Sequence, residues 1–161
     1  MNNEGLSADI VEVIERGFFK TEHIFGVSDE ILGLLNLNAG KTKGKYTSSD
    51  GKHFDFERIN FWKSQYQFSE SGVALGNAAA QGFFKRSLAV VFENENYFLV
   101  PGGSPIRSWR LVDSREQILA KYKPRGAFKR GAQIRIINPL PYALLVFGYC
   151  LVSKRWQEQS S

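Results

Sequence analysis

Ile134-Arg-Ile-Ile-Asn-Pro-Leu-Pro-Tyr-Ala-Leu-Leu-Val-Phe-Gly-Tyr-Cys-Leu-Val152 decides how this chain folds. After Pro141 the run is almost wholly apolar, and Ser153-Lys154-Arg155-Trp156 closes it. A segment with no polar face has to be hidden on every side, in a protein core or in lipid. Length separates the two. A spanning helix needs about 20 apolar residues, whereas runs of about 10–14 are more often core helices. Tyr142 to Val152 falls short of a span, and extending it upstream would enclose Arg135, Asn138, Pro139 and Pro141. Proline suits the first turn of a helix, where its missing N–H would have had no partner. Pro139 and Pro141 therefore lead into one buried helix, with Leu140, Tyr142, Leu144, Leu145, Phe147 and Leu151 among its buried side chains. No transmembrane span is expected.

The remaining composition is that of one domain over residues 1–161, with a folded core at 6–156 and short disordered ends. Hydrophobic residues make up 43% of the chain, which argues against disorder over most of its length. Aromatics reach 14%, mostly Phe, and with 15 glycines they favour sheet with tight turns. Met1-Asn-Asn-Glu-Gly5 has neither the basic nor the apolar region of a signal peptide. The one cysteine, Cys150, lies inside the apolar run, where it has no disulfide partner and serves as a small hydrophobe. These features point to the cytoplasm, with peripheral membrane association open. A net charge of +5 favours anionic partners, phospholipid head groups or nucleic acid, without choosing between them.

Upstream, short strands alternate with turns. Ile24–Leu32, Tyr46–Phe54, Tyr66–Leu75 and Trp109–Leu119 each read as strand, turn, strand. Asp50-Gly51 is a two-residue hairpin signal, and Asn94-Glu-Asn96 turns Leu88–Phe92 back into Tyr97–Val100. Leu6–Glu15 fits a helix capped by Ser7 and stopped by Gly17, or a first strand starting near Val11. The hairpins repeat. Tyr66-x-Phe68-x-Glu70 with Val73-x-Leu75 matches Trp109-x-Leu111-x-Asp113 with Ile118-Leu119, and Phe25-x-Val27-x-Asp29 with Ile31-Leu32 is a shorter copy. Gly82-Phe-Phe-Lys-Arg86 and Gly126-Ala-Phe-Lys-Arg130 follow the two longer hairpins, and Gly17-Phe-Phe-Lys20 is a looser third version. The offset of 43–44 residues is blade-like, but a chain of 161 residues holds too few such units for a closed propeller. The reading is a mainly β fold, a closed barrel or roll of serial antiparallel hairpins, whose interior the hydrophobic C-terminal helix fills.

Serial hairpins of the form aromatic-x-aliphatic-x-Asp/Glu, then a turn and Ile/Val/Leu, ending in a hydrophobic helix, resemble the tubby C-terminal-like superfamily. That group includes the phospholipid scramblases and the LURP-one-related proteins. The resemblance runs from about Gly17 to Trp156. It implies a β-barrel around a central hydrophobic helix, here Leu140–Val152, and it brings phosphoinositide binding (tubby proteins) and calcium-linked lipid movement (scramblases) into view. This chain has no proline-rich N-terminal region and no D-x-D-x-D-G loop, so calcium-driven scrambling is not expected. No phosphoinositide-binding residue carries over position by position, and lipid binding follows from fold analogy and charge alone.

The candidate anion-binding residues are Lys85, Arg86, Lys129 and Arg130, at equivalent places in the two longer repeats, with Lys41, Lys43 and Lys45 in a basic loop, Lys41-Thr-Lys-Gly-Lys45. Lys121, Lys123 and Arg125 add to the second copy. Adjacent strand residues face opposite ways, so each Lys-Arg pair can place one member on any flat patch, while the symmetry of the fold would gather the pairs at one rim. These charges either keep an aromatic-rich barrel soluble and guard its edges, or bind a polyanion in a salt-dependent way. Phe18, Phe19, Phe83 and Phe84 beside lysine could stack bases, but no RNP1, zinc-knuckle or helix-turn-helix signal accompanies them, and nucleic acid is not expected. His53, Asp55 and Glu57 share one strand face, which makes a weak metal or acid-base candidate; a solvated face backed by Phe54 and Phe56 is the plainer reading. His23 sits in ordinary strand context. There is no nucleophile elbow, Walker A or GxGxxG sequence, and Pro101-Gly-Gly-Ser-Pro105 is a turn. The expectation is a non-catalytic binding module without cofactor, directed at anionic phospholipid on a membrane surface. The alternative is a protein- or nucleic-acid-binding adaptor of unknown partner.

Overall fold

Apolar and polar side chains alternate along almost every strand, and the buried set faces one common interior. In Gln65-Tyr-Gln-Phe-Ser-Glu70, for example, Tyr66 and Phe68 are buried and their neighbours are not. A computed structural model describes residues 10–60, 62–81, 87–103, 107–126 and 129–160. Its strands are β1 (Ile10–Arg16), β2 (Thr21–Val27), β3 (Glu30–Leu37), β4 (Lys43–Ser48), β5 (His53–Asn60), β6 (Gln65–Glu70), β7 (Val73–Gln81), β8 (Ser87–Phe92), β9 (Glu95–Pro101), β10 (Trp109–Asp113), β11 (Ile118–Pro124) and β12 (Gly131–Ile136). Each pairs antiparallel with the next, and β1 pairs with β12 to close a barrel of 12 strands. The helix α1 (Tyr142–Gln159) follows.

The N-terminal segment resolves as strand from Ile10, because two edges compete for it. Val13 pairs with Phe25 of β2 on one side and with Ala132 of β12 on the other. A helix there would leave both neighbouring ladders unpaired, and buried backbone groups rarely go unpaired. Ser7 and the rest of residues 1–9 lie outside the described residues.

Turn chemistry sets the register of the hairpins. Ser71 and Gly72, with φ of 48° and 86°, form the two-residue loop between Glu70 and Val73. Glu93 and Asn94, at 48° and 66°, do the same between Phe92 and Glu95, one residue ahead of the expected Asn94-Glu-Asn96. Paired positive φ values match the right-handed twist of the strands they join. Asp50-Gly51 departs from the two-residue expectation. Ser48 N–H donates to the Lys52 carbonyl at 2.9 Å and Gly51 N–H to the Ser48 carbonyl at 3.0 Å, so the loop has three residues. Gly51, at φ +90°, takes its last, left-handed position.

The helix lies inside the barrel. Ten consecutive residues, Leu144–Ser153, are all buried. Their neighbours come from around the sheet. Phe147 stacks on Phe68 of β6 at 5.1 Å and tilts against Phe56 of β5. Tyr149 meets Phe25 and His23 of β2 edge-on, and the Tyr142 and Tyr46 hydroxyls are hydrogen-bonded. On the β11 side the Tyr122 hydroxyl donates to the Leu145 carbonyl at 2.8 Å. That approach requires Gly148, since a Cβ there would lie 2.3 Å from the Tyr122 oxygen. Pro141 is the N-cap in extended conformation, so buried Leu140 precedes the helix. At the other end the helix runs past Val152 to Gln159. Ser153 and Trp156 continue its buried side, and the Trp156 indole donates to the Arg107 carbonyl at 2.6 Å. Among the described residues, no helix is long and apolar enough to cross a membrane.

Two substitutions test the enclosure. Gly148→Ala would add about 1 kcal/mol to an exposed helix; here it is expected to cost about 1–3 kcal/mol in urea unfolding, because the new methyl meets Tyr122. Leu145→Asp should abolish the folded state by circular dichroism, since an unpaired buried carboxylate has no compensating partner. A cooperative, near-normal transition for Leu145→Asp would show that the helix is not core.

Candidate functional site

Serial antiparallel hairpins send alternate connections to opposite ends of the barrel, and here the two ends carry opposite charge. The β1–β2, β3–β4, β5–β6, β9–β10 and β11–β12 connections share one end with the helix C-terminus. Lys20, Lys41, Lys63, Arg107, Lys129 and Arg130 are there, against Glu15, Glu22 and Glu158. The opposite end carries Asp29, Glu30, Asp50, Glu70, Glu93, Glu95, Asp113 and Glu116, with Lys52 and Arg115 for cations. The basic end also displays large aromatic side chains. Phe18 and Phe19 in the β1–β2 turn are 91% and 83% exposed, and Trp62 in the β5–β6 turn is 95% exposed. The Arg130 guanidinium lies 5.8 Å from the centre of the Phe18 ring and binds the Glu15 carboxylate at 2.8 Å.

Of the residues singled out from sequence, Lys129 and Arg130 occupy this end and are exposed. Lys85, Arg86, Phe83 and Phe84 lie outside the described residues. The basic loop Lys41–Lys45 is not a loop throughout. Lys43 and Lys45 are outward residues of β4, directly opposite Glu57 and Asp55 of β5. Lys43 Nζ lies 3.9 Å from Glu57. Lys41 alone stays in the connection, and its ammonium donates to Ser153 Oγ at 2.8 Å, tying the turn to the helix. Burial lowers its pKa, with Glu15 opposing that shift.

His53, Asp55 and Glu57 do share the outer face of β5, as strand alternation requires. Their neighbours are Thr47, Lys45 and Lys43 in turn, with His53 Nδ1 3.3 Å from Thr47 Oγ1. The two carboxylates thus face lysines, a cross-strand arrangement that supports the sheet. Among the described residues no group of three or more His, Cys, Asp or Glu is placed to hold a metal ion.

A second basic surface lies on the outer wall. Lys121 and Lys123 of β11 stand beside Arg110 of β10 and Arg135 of β12, around a groove of about 390 Å³. The arginines escaped notice because each is a lone cation between hydrophobes, Trp109 and Leu111 in one case and Ile134 and Ile136 in the other. Both point outward in the barrel, beside the buried Trp109, Leu111 and Ile134, and barrel closure decides which strands adjoin.

His23 is a polar group of the interior. It is fully buried, with Nε2 2.7 Å from Thr21 Oγ1 and Nδ1 2.6 Å from the Tyr149 hydroxyl. Burial pushes its pKa down to about 4 against the attraction of Glu15, and Lys41 and Arg130 push the same way.

No family model and no curated protein matches this chain. Its fold is similar to the X-ray structure of a protein from Arabidopsis thaliana, with a TM-score of 0.66 at 14% identity over 94% of both chains. That likeness is one of fold. It places this chain among closed antiparallel β-barrels of 12 strands with a C-terminal helix.

The His23 environment sets a pH dependence. The unfolded chain takes up this proton near pH 6.5 and the folded chain only near pH 4, so stability falls as pH drops through that window and levels off below it. The loss is on the order of 3 kcal/mol. His23→Gln should flatten this part of a plot of urea midpoint against pH, and an unchanged slope would show that His23 protonates freely in the fold.

Proposed function

We propose that this protein is a non-catalytic binding module that docks its basic end on an anionic phospholipid surface. The observation that carries this reading is the segregation of charge between the two ends of the barrel. An anionic leaflet attracts each nearby Lys or Arg by about 1 kcal/mol, and the attraction fades within a Debye length. A barrel with a basic end and an acidic end meets such a surface in one orientation. Phe18, Phe19 and Trp62 then point at the interface, where exposed aromatic rings gain by partial burial. The tubby-type resemblance of the hairpin repeats supports the same reading.

Co-sedimentation tests it, with neutral phosphatidylcholine vesicles and vesicles containing phosphatidylserine, at low and at high salt. Pelleting is expected with the anionic vesicles at low salt. Replacing Lys20, Lys63 and Lys129 by Gln together should weaken it by about tenfold or more, whereas Glu93→Gln with Glu95→Gln at the opposite end should not. Phe18→Ser with Phe19→Ser should leave the fold intact and remove the part of the binding that survives salt. Equal pelleting with neutral vesicles would end this reading. Retention of a labelled oligonucleotide in place of vesicles would favour the nucleic-acid adaptor.

A further inference from the structure

We infer that the outer wall of the barrel across β10, β11 and β12 is a binding site for a ligand carrying two or more phosphate groups. Arg110, Lys121 and Arg135 stand in direct register on three neighbouring strands, Arg110 opposite Lys121 and Lys121 opposite Arg135. All three point outward, since Trp109, Leu111, Tyr122 and Ile134 beside them are buried. Like charges directly opposed on adjacent strands destabilise a sheet. Elsewhere the same barrel avoids this: Lys43 faces Glu57, Lys45 faces Asp55 and Arg16 faces Glu22. On this wall no carboxylate stands directly opposite any of the three.

Three further features make the wall a site and not a solvated face. Lys123, two residues along the strand from Lys121, adds a fourth cation to the same groove of about 390 Å³. Gly102, Gly103 and Ser108 line one end of that groove. The Nε of Arg110 is buried and, among the described residues, has no hydrogen-bond partner, and a buried donor left unpaired is costly. Among the described residues, none of the four cations has an ion pair or a side-chain hydrogen bond. The nearby carboxylate, Glu12, is engaged by Gln133 Nε2 at 2.7 Å and lies 3.9 Å from Arg125 Nε.

Spacing selects the ligand class. Neighbouring strands lie about 4.8 Å apart, so the three registered cations span about 10 Å. One tetrahedral oxyanion can satisfy part of that row, whereas linked phosphates can satisfy all of it. The arginines supply forked donors matched to phosphate oxygens, and the lysines act as mobile point charges. The site's four cations are strand residues of the wall, none of them among the end residues that carry the membrane reading, and although the groove meets that end at Gly102, Gly103 and Ser108, the site stands whether or not that reading holds.

Titration calorimetry with tripolyphosphate and with orthophosphate, at matched ionic strength, tests this directly. Saturable one-to-one binding of tripolyphosphate is expected, with orthophosphate much weaker. Lys121→Gln with Arg135→Gln should weaken it by about tenfold or more, while the Lys20, Lys63 and Lys129 replacements should not. Vesicles containing a doubly phosphorylated phosphoinositide form the second arm. Pelleting that depends on Lys121 and Arg135, without tripolyphosphate binding, would identify the phosphates as those of a lipid head group. Phosphatidylserine pelleting that ignores Lys121 and Arg135 belongs to the other surface and separates the two proposals. Binding in neither arm, or binding lost equally with the end variants, would overturn the site. The free protein gives an independent reading. Lys121→Gln alone should raise its melting temperature by relieving the repulsion, and added tripolyphosphate should close the gap with the parent. A melting temperature unchanged or lowered by Lys121→Gln would refute the uncompensated ladder.

Discussion

Burial of a helix that has no polar side is the constraint on which this structure depends. From Leu144 to Ser153 every residue is shielded, so a sheet covering one face of α1 would leave the others in water. A closed antiparallel barrel meets that demand, and it pairs both edges that an open sheet would expose. The helix in turn fills an interior that a barrel of this strand number would otherwise leave open. The specific fit comes from a few close approaches. Tyr122 reaches the helix backbone over Gly148, Phe147 stacks into the β5–β6 aromatics, and Tyr149 completes the hydrogen bonds of His23.

The same closure governs where charge can act. With the interior given to apolar packing, the carboxylates, lysines and arginines are left to the turns and the outer wall. Inside, His23 is held neutral by burial between Thr21 and Tyr149. Because hairpins alternate ends, residues of distant sequence gather at one rim. Phe18 and Arg130, 112 positions apart, come to share a cation–π contact because β1 closes onto β12. The basic end and the basic wall follow from this geometry, one through alternate turns and the other through three adjacent strands.

Much of the fold was legible along the chain. The length of the apolar run and its two prolines marked a core helix, and turn residues marked the hairpins. Misjudgements were local. Asp50-Gly51 carries a three-residue loop, because Ser48 and Lys52 pair across it. The helix continues past Val152, because Ser153 and Trp156 still find buried partners beyond the apolar run. The candidate binding residues were less legible. Lys43 and Lys45 looked like a basic loop, yet as β4 residues they face the carboxylates of β5. Arg110 and Arg135 carried no local signal beyond outward alternation.

By itself, then, the sequence determined what is local: strand alternation, turn positions, and a helix that must be buried on all sides, since each follows from interactions between near neighbours in the chain. Only the tertiary structure decided which strands adjoin, which turns share an end, and which cations stand in register. Those depend on barrel closure and pairing order, which bring together residues whose separation along the chain says nothing about their distance in space.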